Sequence, residues 1–237
     1  MALVDAFSGA LSDRVDWLYD RLVESYGEPE WRPNGDPVGE LVQTILSQHT
    51  SDVNSERAYE RLKQTFADWP TVRDANVSDV EEAIRVGGLA KVKAERIQKV
   101  LHEIGDRSGG AITLDQLREL SLDDARDVLV SFSGVGPKTA SCVLLFALGA
   151  PAFPVDTHVL RVTRRLGLIS PKVSAESAHG ILEAAIPPDR RYAMHINLIR
   201  HGRRVCHAQR PACERCMLRQ GCHFFWAKTH VESVTTG

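Results

Sequence analysis

A chain of 237 residues, 43% hydrophobic and 25% charged, has the make-up of a soluble globular protein that can bury one large core or two modest ones without disulfide staples. Its net charge of −2 hides an asymmetry: residues 1–135 carry 15 Lys and Arg against 25 Asp and Glu, while residues 136–237 carry 14 against 6. The amino terminus has acidic residues throughout and does not read as a signal peptide, and the most apolar run, Cys142 to Val155, is broken by Gly149, Pro151 and Pro154 and does not read as a membrane span, so a cytoplasmic monomer is expected.

Helical periodicity begins at VDWLYDRLVESYG, which puts Val15, Leu18, Leu22 and Tyr26 on one face. PVGELVQTILSQ repeats the pattern with Val38, Leu41, Val42 and Ile45. SERAYERLKQTF, DVEEAIRVGG, VKAERIQKVLHEIG and LDDARDVLVSF are further amphipathic segments, several ending at glycine. No segment alternates as a strand would. The connectors, ADWPT, GGLAK, RSGGAIT and APAFPV, are short, and the tail after Ala227 reads as frayed. An all-α protein of about ten helices is expected.

The first segment with chemical content is the helix–turn–helix around residue 135. Val128, Leu129 and Phe132 close one helix, Ser133-Gly134-Val135-Gly136 turns, and Pro137 opens the next, with Ala140, Val143, Leu144 and Ala147 on one side. Two glycines permit a tight turn while Val135 packs inward, and Pro137 suits a first helical position. The free N–H groups there can hold a phosphate, although such turns also occur with no ligand. Lys138 lies in the first turn, where the helix field disfavours a cation and enlarges the free-amine fraction that a nucleophile needs. Taken alone it reads better as an exposed, solubilising lysine.

Asp156 precedes a helix with Val159, Val162 and Leu166 inward and Arg161, Arg164 and Arg165 outward. It can cap that helix. A carboxylate held by helix N–H groups stays ionised and can also steady positive charge developing on a sugar ring.

Four of the five cysteines, Cys206, Cys213, Cys216 and Cys222, fall within 17 residues. In an intracellular protein such a cluster points to a metal rather than to disulfides. Four thiolates suit iron–sulfur or zinc, and the residues alone leave both open, though a zinc ribbon would offer two Cys-x2-Cys pairs and only one is present. Cys142 lies in an apolar helix and reads as core. Arg200, Arg203, Arg204, Arg210, Arg215 and Arg219 surround the thiols and make the basic half a candidate nucleic-acid face. The blander reading is that the acidic and basic halves attract each other.

Taken in order, these segments resemble the endonuclease III family of helix-hairpin-helix DNA glycosylases. SGVGPKTA is similar to the family's hairpin and lysine, and VDTHVLRV, at the family's spacing, to its aspartate segment. HGRRVCHAQRPACERC followed by LRQGC is similar to its Cys-x6-Cys-x2-Cys-x5-Cys iron–sulfur motif, and ILSQHTSD and VGGLAKVKAERI to its two DNA-penetrating loops. The resemblance covers roughly residues 30–226. It implies two helical domains flanking a cleft: a six-helix domain with the hairpin, residues 34–150, and an iron–sulfur domain of residues 1–33 and 151–226, with residues 227–237 a tail. Lys138 and Asp156 would face each other across that cleft.

By the same resemblance, Cys206, Cys213, Cys216 and Cys222 ligate a [4Fe–4S] cluster. The implied partner is double-stranded DNA with damaged bases or abasic sites. The implied activity is base excision of oxidised pyrimidines, with AP lyase cleavage through a Schiff base on Lys138 aided by Asp156. Gln48 or His49, with Leu89, would support the vacated stack, and Gly134, Val135, Gly136, Arg161, Arg203 and Arg204 would contact DNA. Two positions depart from the family: His49 stands where glutamine is usual, with Gln48 one residue earlier, and Ser133 replaces a common proline. A monofunctional glycosylase and a catalytically weak DNA-binding iron–sulfur protein are the rival readings; Lys138 argues against the first and the Lys138–Asp156 pair against the second.

Overall fold

The computed structural model describes residues 10–228, and among these there are eleven α-helices from Leu11 to Arg204, a further helical stretch at 223–228, and no strand. The chain separates into two compact units, one of Met1–Trp31 with Pro151–Gly237, the other of Arg32–Ala150. Among the described residues no helix is long and apolar enough to cross a membrane.

The Arg32–Ala150 unit is built round α2 (Pro37–Ser47). Its Val38, Leu41, Val42, Ile45 and Leu46 are all buried. A helix apolar on so much of its circumference is an interior helix. Burial of each of these side chains contributes roughly 1.5–3 kcal/mol. The cap, in which Asp36 accepts from the Gly39 amide at 2.8 Å, adds only about 1 kcal/mol. Packing therefore holds α2 in place. It packs against α3 (Asp52–Thr65), α6 (Ala90–Arg107) and α8 (Pro137–Cys142), with α4 (Trp69–Asp74), α5 (Val77–Ile84) and α7 (Leu122–Val130) completing the unit.

The stretch ADWPT, expected as a connector, is instead the start of α4. Asp68 accepts from the Thr71 amide at 2.8 Å, and Pro70 sits in the first turn, where its missing N–H costs nothing. The apolar run after α8 continues as a π-helical turn, Val143–Ala147, closed by the Leu148 amide on the Val143 carbonyl at 3.2 Å.

In the other unit α1 (Leu11–Tyr26) buries Val15, Leu18 and Leu22, and α9 (Thr157–Leu166) buries Val159, Val162 and Leu166. They share a core with α10 (Ala175–Ala185) and α11 (Arg191–Arg204). Helix α11 also buries His195 and Asn197, and each has a backbone partner: His195 with the Pro154 carbonyl at 2.9 Å, Asn197 donating to the Gly27 carbonyl at 2.9 Å. Between α11 and Cys222 the chain makes only short 3₁₀ turns, Cys213–Arg215 and Arg219–Gly221, and residues 223–228 are helical again.

Candidate functional site

The turn between α7 and α8 has two glycines with different tasks. Gly134 sits at φ +77°, and a Cβ there would lie 2.9 Å from Cδ of Arg96, so both backbone and space demand glycine. Gly136 has an ordinary φ and would meet nothing within 4 Å; no side chain caps α8 at this point, and Pro137 occupies the first turn. Val135 is buried, as an anchor for the turn should be. Ser133 donates its amide to Glu103 at 2.8 Å, a bond no proline could make. Burial pushes the Glu103 carboxyl up, but hydrogen bonds from Ser133, with the Lys99 and Arg107 charges, bring it net below its ordinary value.

Lys138 follows, half-buried in the first turn of α8. Its charge acts on Glu40 of α2. Burial pushes the Glu40 carboxyl up, opposed by hydrogen bonds with Asn34 at 3.0 Å and Thr44 at 3.4 Å and by Lys138.

Two further turns in the same unit carry the remaining candidates. After α2 the chain runs through Gln48, His49 and Thr50; before α6 it runs through Arg85–Gly87, Gly88 and Leu89. His49 (φ 53°) and Leu89 (φ 51°) are both left-handed and both exposed, Leu89 at 59%. For a residue with a Cβ that conformation costs about 1–2 kcal/mol. Gln48 differs from its neighbour: it is half-buried, and its Oε1 accepts from Arg96 Nη1 at 2.6 Å. The two turns touch where Thr50 Oγ1 donates to the Gly87 carbonyl at 2.5 Å.

In the other unit Asp156 caps α9, its Oδ1 accepting from the Val159 amide at 2.7 Å. Arg161, expected on DNA, spends its donors inside the protein: Nε on the Cys206 carbonyl and Nη2 on the Gly202 carbonyl, both at 2.9 Å. Arg165 does likewise, on His207 at 2.6 Å and Ala208 at 2.9 Å, with its guanidinium 4.5 Å from the Phe224 ring centroid. These two arginines shape the carboxy-terminal loop. Arg203 and Arg204 are exposed on the last turn of α11.

Cys206, Cys213, Cys216 and Cys222 line one small pocket of about 20 Å³, partly open to solvent, together with Val162, Leu166 and Leu218. Arg165 Nη1 lies 3.3 Å from Cys206 Sγ, and His201 Nε2 lies 3.6 Å from Cys216 Sγ. Burial raises the Cys213, Cys216 and Cys222 thiols, Cys216 to about 11, and the neighbouring thiolate charges raise them further. A cationic centre among them would reverse that balance, because coordination deprotonates thiols. Among the described residues no three His, Cys, Asp or Glu side chains converge on a single-ion position. Four thiols that line one pocket suit either an iron–sulfur cluster or zinc, the two groups the residues leave open. Cys142 is buried within α8 and has no place in this cavity.

Residues 42–188 match the HhH-GPD superfamily of base excision DNA repair proteins. The chain belongs to this family. Within it the chain is endonuclease III-like: it is 32% identical over 211 residues to endonuclease III of Thermotoga maritima, covering 89% of this chain and 93% of that protein. It is 39% identical over 166 residues to a DNA glycosylase homologue of Arabidopsis thaliana, spanning 70% of this chain but 56% of that protein's length. A solved structure of a trapped endonuclease III–DNA covalent intermediate superimposes with a TM-score of 0.79 at 28% identity, over 92% of this chain and 98% of that one. The all-α fold expected from the sequence is thus the endonuclease III fold.

Proposed function

We propose that this protein is a bifunctional DNA glycosylase and AP lyase that excises oxidised pyrimidines from double-stranded DNA. The observation that carries the reading is Lys138, placed directly after the glycine turn in a chain similar to an endonuclease III caught covalently on DNA. The damaged nucleotide is flipped out, at a cost of a few kcal/mol that falls where pairing is already weak. The neutral Lys138 amine attacks the sugar C1′, and the base departs with the glycosidic electron pair. Asp156, which caps the start of α9, steadies the cationic sugar. The amine proton is lost and the ring opens to an imine. Removal of a C2′ proton then expels the 3′ phosphate, and water hydrolyses the imine to free Lys138.

His49 and Leu89, exposed on adjoining turns, fill the vacated stack. Gly134, Val135 and Gly136 bring the α8 amides to a phosphate, and Arg203 and Arg204 add contacts to the backbone. Cys206, Cys213, Cys216 and Cys222 would hold a [4Fe–4S] cluster, which when bound ties the basic carboxy-terminal loop to α9 and α11.

Borohydride reduction tests the reading. Wild-type protein should become covalently attached to a duplex carrying an abasic site or an oxidised pyrimidine, and Lys138→Gln should bind that duplex without being trapped. Base release with an intact strand and no trapping would assign a monofunctional glycosylase instead.

A further inference from the structure

Lys93 lies on the apolar stripe of α6, in line with Ala94, Ile97, Leu101 and Ile104, and is only 3% exposed. All three of its ammonium protons have acceptors. Nζ is 2.7 Å from the Leu46 carbonyl in the last turn of α2, 2.6 Å from Thr50 Oγ1, and 2.9 Å from the Gly87 carbonyl. Every one of these partners is neutral, and burial lowers the lysine's pKa. Placing a cation where no carboxylate compensates it is an expensive way to finish a helix core. It does provide three charge-assisted bonds diverging from a single point.

Those bonds reach the two turns that carry His49 and Leu89. Thr50 follows His49 directly, and Gly87 stands two residues before Leu89. Thr50 Oγ1 also donates to the Gly87 carbonyl, so lysine, threonine and carbonyl close a triangle between the turns. The two exposed left-handed residues sit just outside it. Were the turns free of each other, each would have to be ordered at the moment of insertion, at an entropic cost.

We propose that Lys93 is a positioning residue that locks the Gln48–Thr50 turn to the Arg85–Leu89 turn, so that His49 and Leu89 enter the duplex as one unit. This rests on the reading of the turns as the parts that penetrate DNA. The lock matters when an intact stack must be opened and matters little at an abasic site, where the stack is already interrupted. A lysine that merely supported the fold would affect both substrates alike.

The test compares Lys93→Met, which keeps an unbranched side chain one atom shorter and removes its donors, with wild type, His49→Ala and Leu89→Ala. Single-turnover rates are measured on a duplex with one oxidised pyrimidine and on the same duplex with an abasic site, below the melting temperature of each variant. Lys93→Met should lose about tenfold or more on the oxidised base and less than about threefold on the abasic site, one factor of ten corresponding to the loss of a single insertion contact. Equal losses on the two substrates, or no loss on either, would overturn the proposal. If His49→Ala and Leu89→Ala show the substrate-dependent loss and Lys93→Met does not, only the role of Lys93 falls. If those two show none while wild type is active, the penetrating-turn reading falls with it. Should Lys93→Met fail to fold, Thr50→Val removes one corner of the triangle at constant volume. It should show the same split, at roughly threefold, and its absence would also refute the lock.

Discussion

Gln48 is tied to Arg96, Oε1 to Nη1 at 2.6 Å, and the stem of the same arginine fills the space a side chain at Gly134 would need. The glutamine is thus part of the joint between the first turn and the hairpin, while its neighbour His49 projects into solvent in a strained conformation. An imidazole can stack on neighbouring bases and hydrogen-bond an orphaned one.

His49→Ala should therefore slow excision of an intact damaged base by about tenfold, the rate equivalent of about 1.4 kcal/mol of lost insertion energy. Cleavage at a preformed abasic site should change far less. Gln48→Ala should instead lower the melting temperature, through loss of a bond that contributes about 1 kcal/mol, with a smaller effect on excision. Single-turnover rates and melting curves for both variants decide between the neighbours. A larger excision defect in Gln48→Ala would transfer the inserting role to it.

Asp156 offers a way to separate charge from capping. Asn caps a helix about as well as Asp, so Asp156→Asn should keep the bond to the Val159 amide and melt within about 0.5 kcal/mol of wild type. It should nevertheless lose most excision activity, on the order of a hundredfold, because a neutral amide cannot offset charge on the sugar. Asp156→Ala should lose both, with about 1 kcal/mol of stability. Retention of full activity by the Asn variant would leave Asp156 a cap and nothing more.

The helices α1, α2, α6 and α9 were legible in the sequence because each presents a largely apolar face, and period alone reveals that. α4 was not: it is only six residues long, so Trp69-Pro70 read as a connector, whereas the Asp68 cap makes it a helix start. The glycine turn, the Asp156 cap and the grouping of the four cysteines were legible from residue types and spacing, whereas roles for Lys138 and Asp156 came only from the family resemblance. Gln48 and His49 could not be told apart, since which side chain reaches Arg96 depends on the path of a turn. The arginines of α9 misled for a related reason: outward on the helix is inward once a carboxy-terminal loop folds over it, and Arg161 meets Gly202 and Cys206. Lys93 did leave a trace, a charged residue on an apolar stripe, but its acceptors are two backbone carbonyls, of Leu46 and Gly87, and the Thr50 hydroxyl, a grouping no helical period records.

The thiol cavity predicts a composition. Protein purified without oxygen should be yellow-brown and contain iron and acid-labile sulfide. Cys213→Ser should lose colour and solubility, since the loop after α11 has no helix longer than a 3₁₀ turn to order it up to Cys222. Cys142→Ser should keep the full iron content, because that thiol lies outside the cavity. Stoichiometric zinc without sulfide would sink the iron–sulfur assignment and leave the cavity a single-ion site.

Glu40 predicts a pH dependence of stability. Its carboxyl ordinarily titrates near 4.5, and burial on α2 raises it, against the pull of Asn34, Thr44 and the Lys138 charge. A group whose folded pKa lies above its unfolded value binds its proton more tightly in the folded state. Its contribution to stability is thus full below about pH 4.5 and is lost as pH rises through the folded value. At pH 8 the wild type carries the cost of a poorly solvated carboxylate, and Glu40→Gln does not. The amide keeps one acceptor oxygen, enough for Asn34 or Thr44 but not both, so one hydrogen bond is given up together with the attraction to Lys138, against which the relief of no longer burying a charge must be set. The variant should accordingly melt higher than wild type at pH 8, and the gap should close as pH is lowered towards 4. The other carboxylates titrate equally in both proteins, so the difference between the two melting curves isolates Glu40. A variant that melts lower than wild type at pH 8 would mean that the charge of Lys138 and the lost hydrogen bond together outweigh burial, and would make the Glu40 carboxylate a net stabilising group.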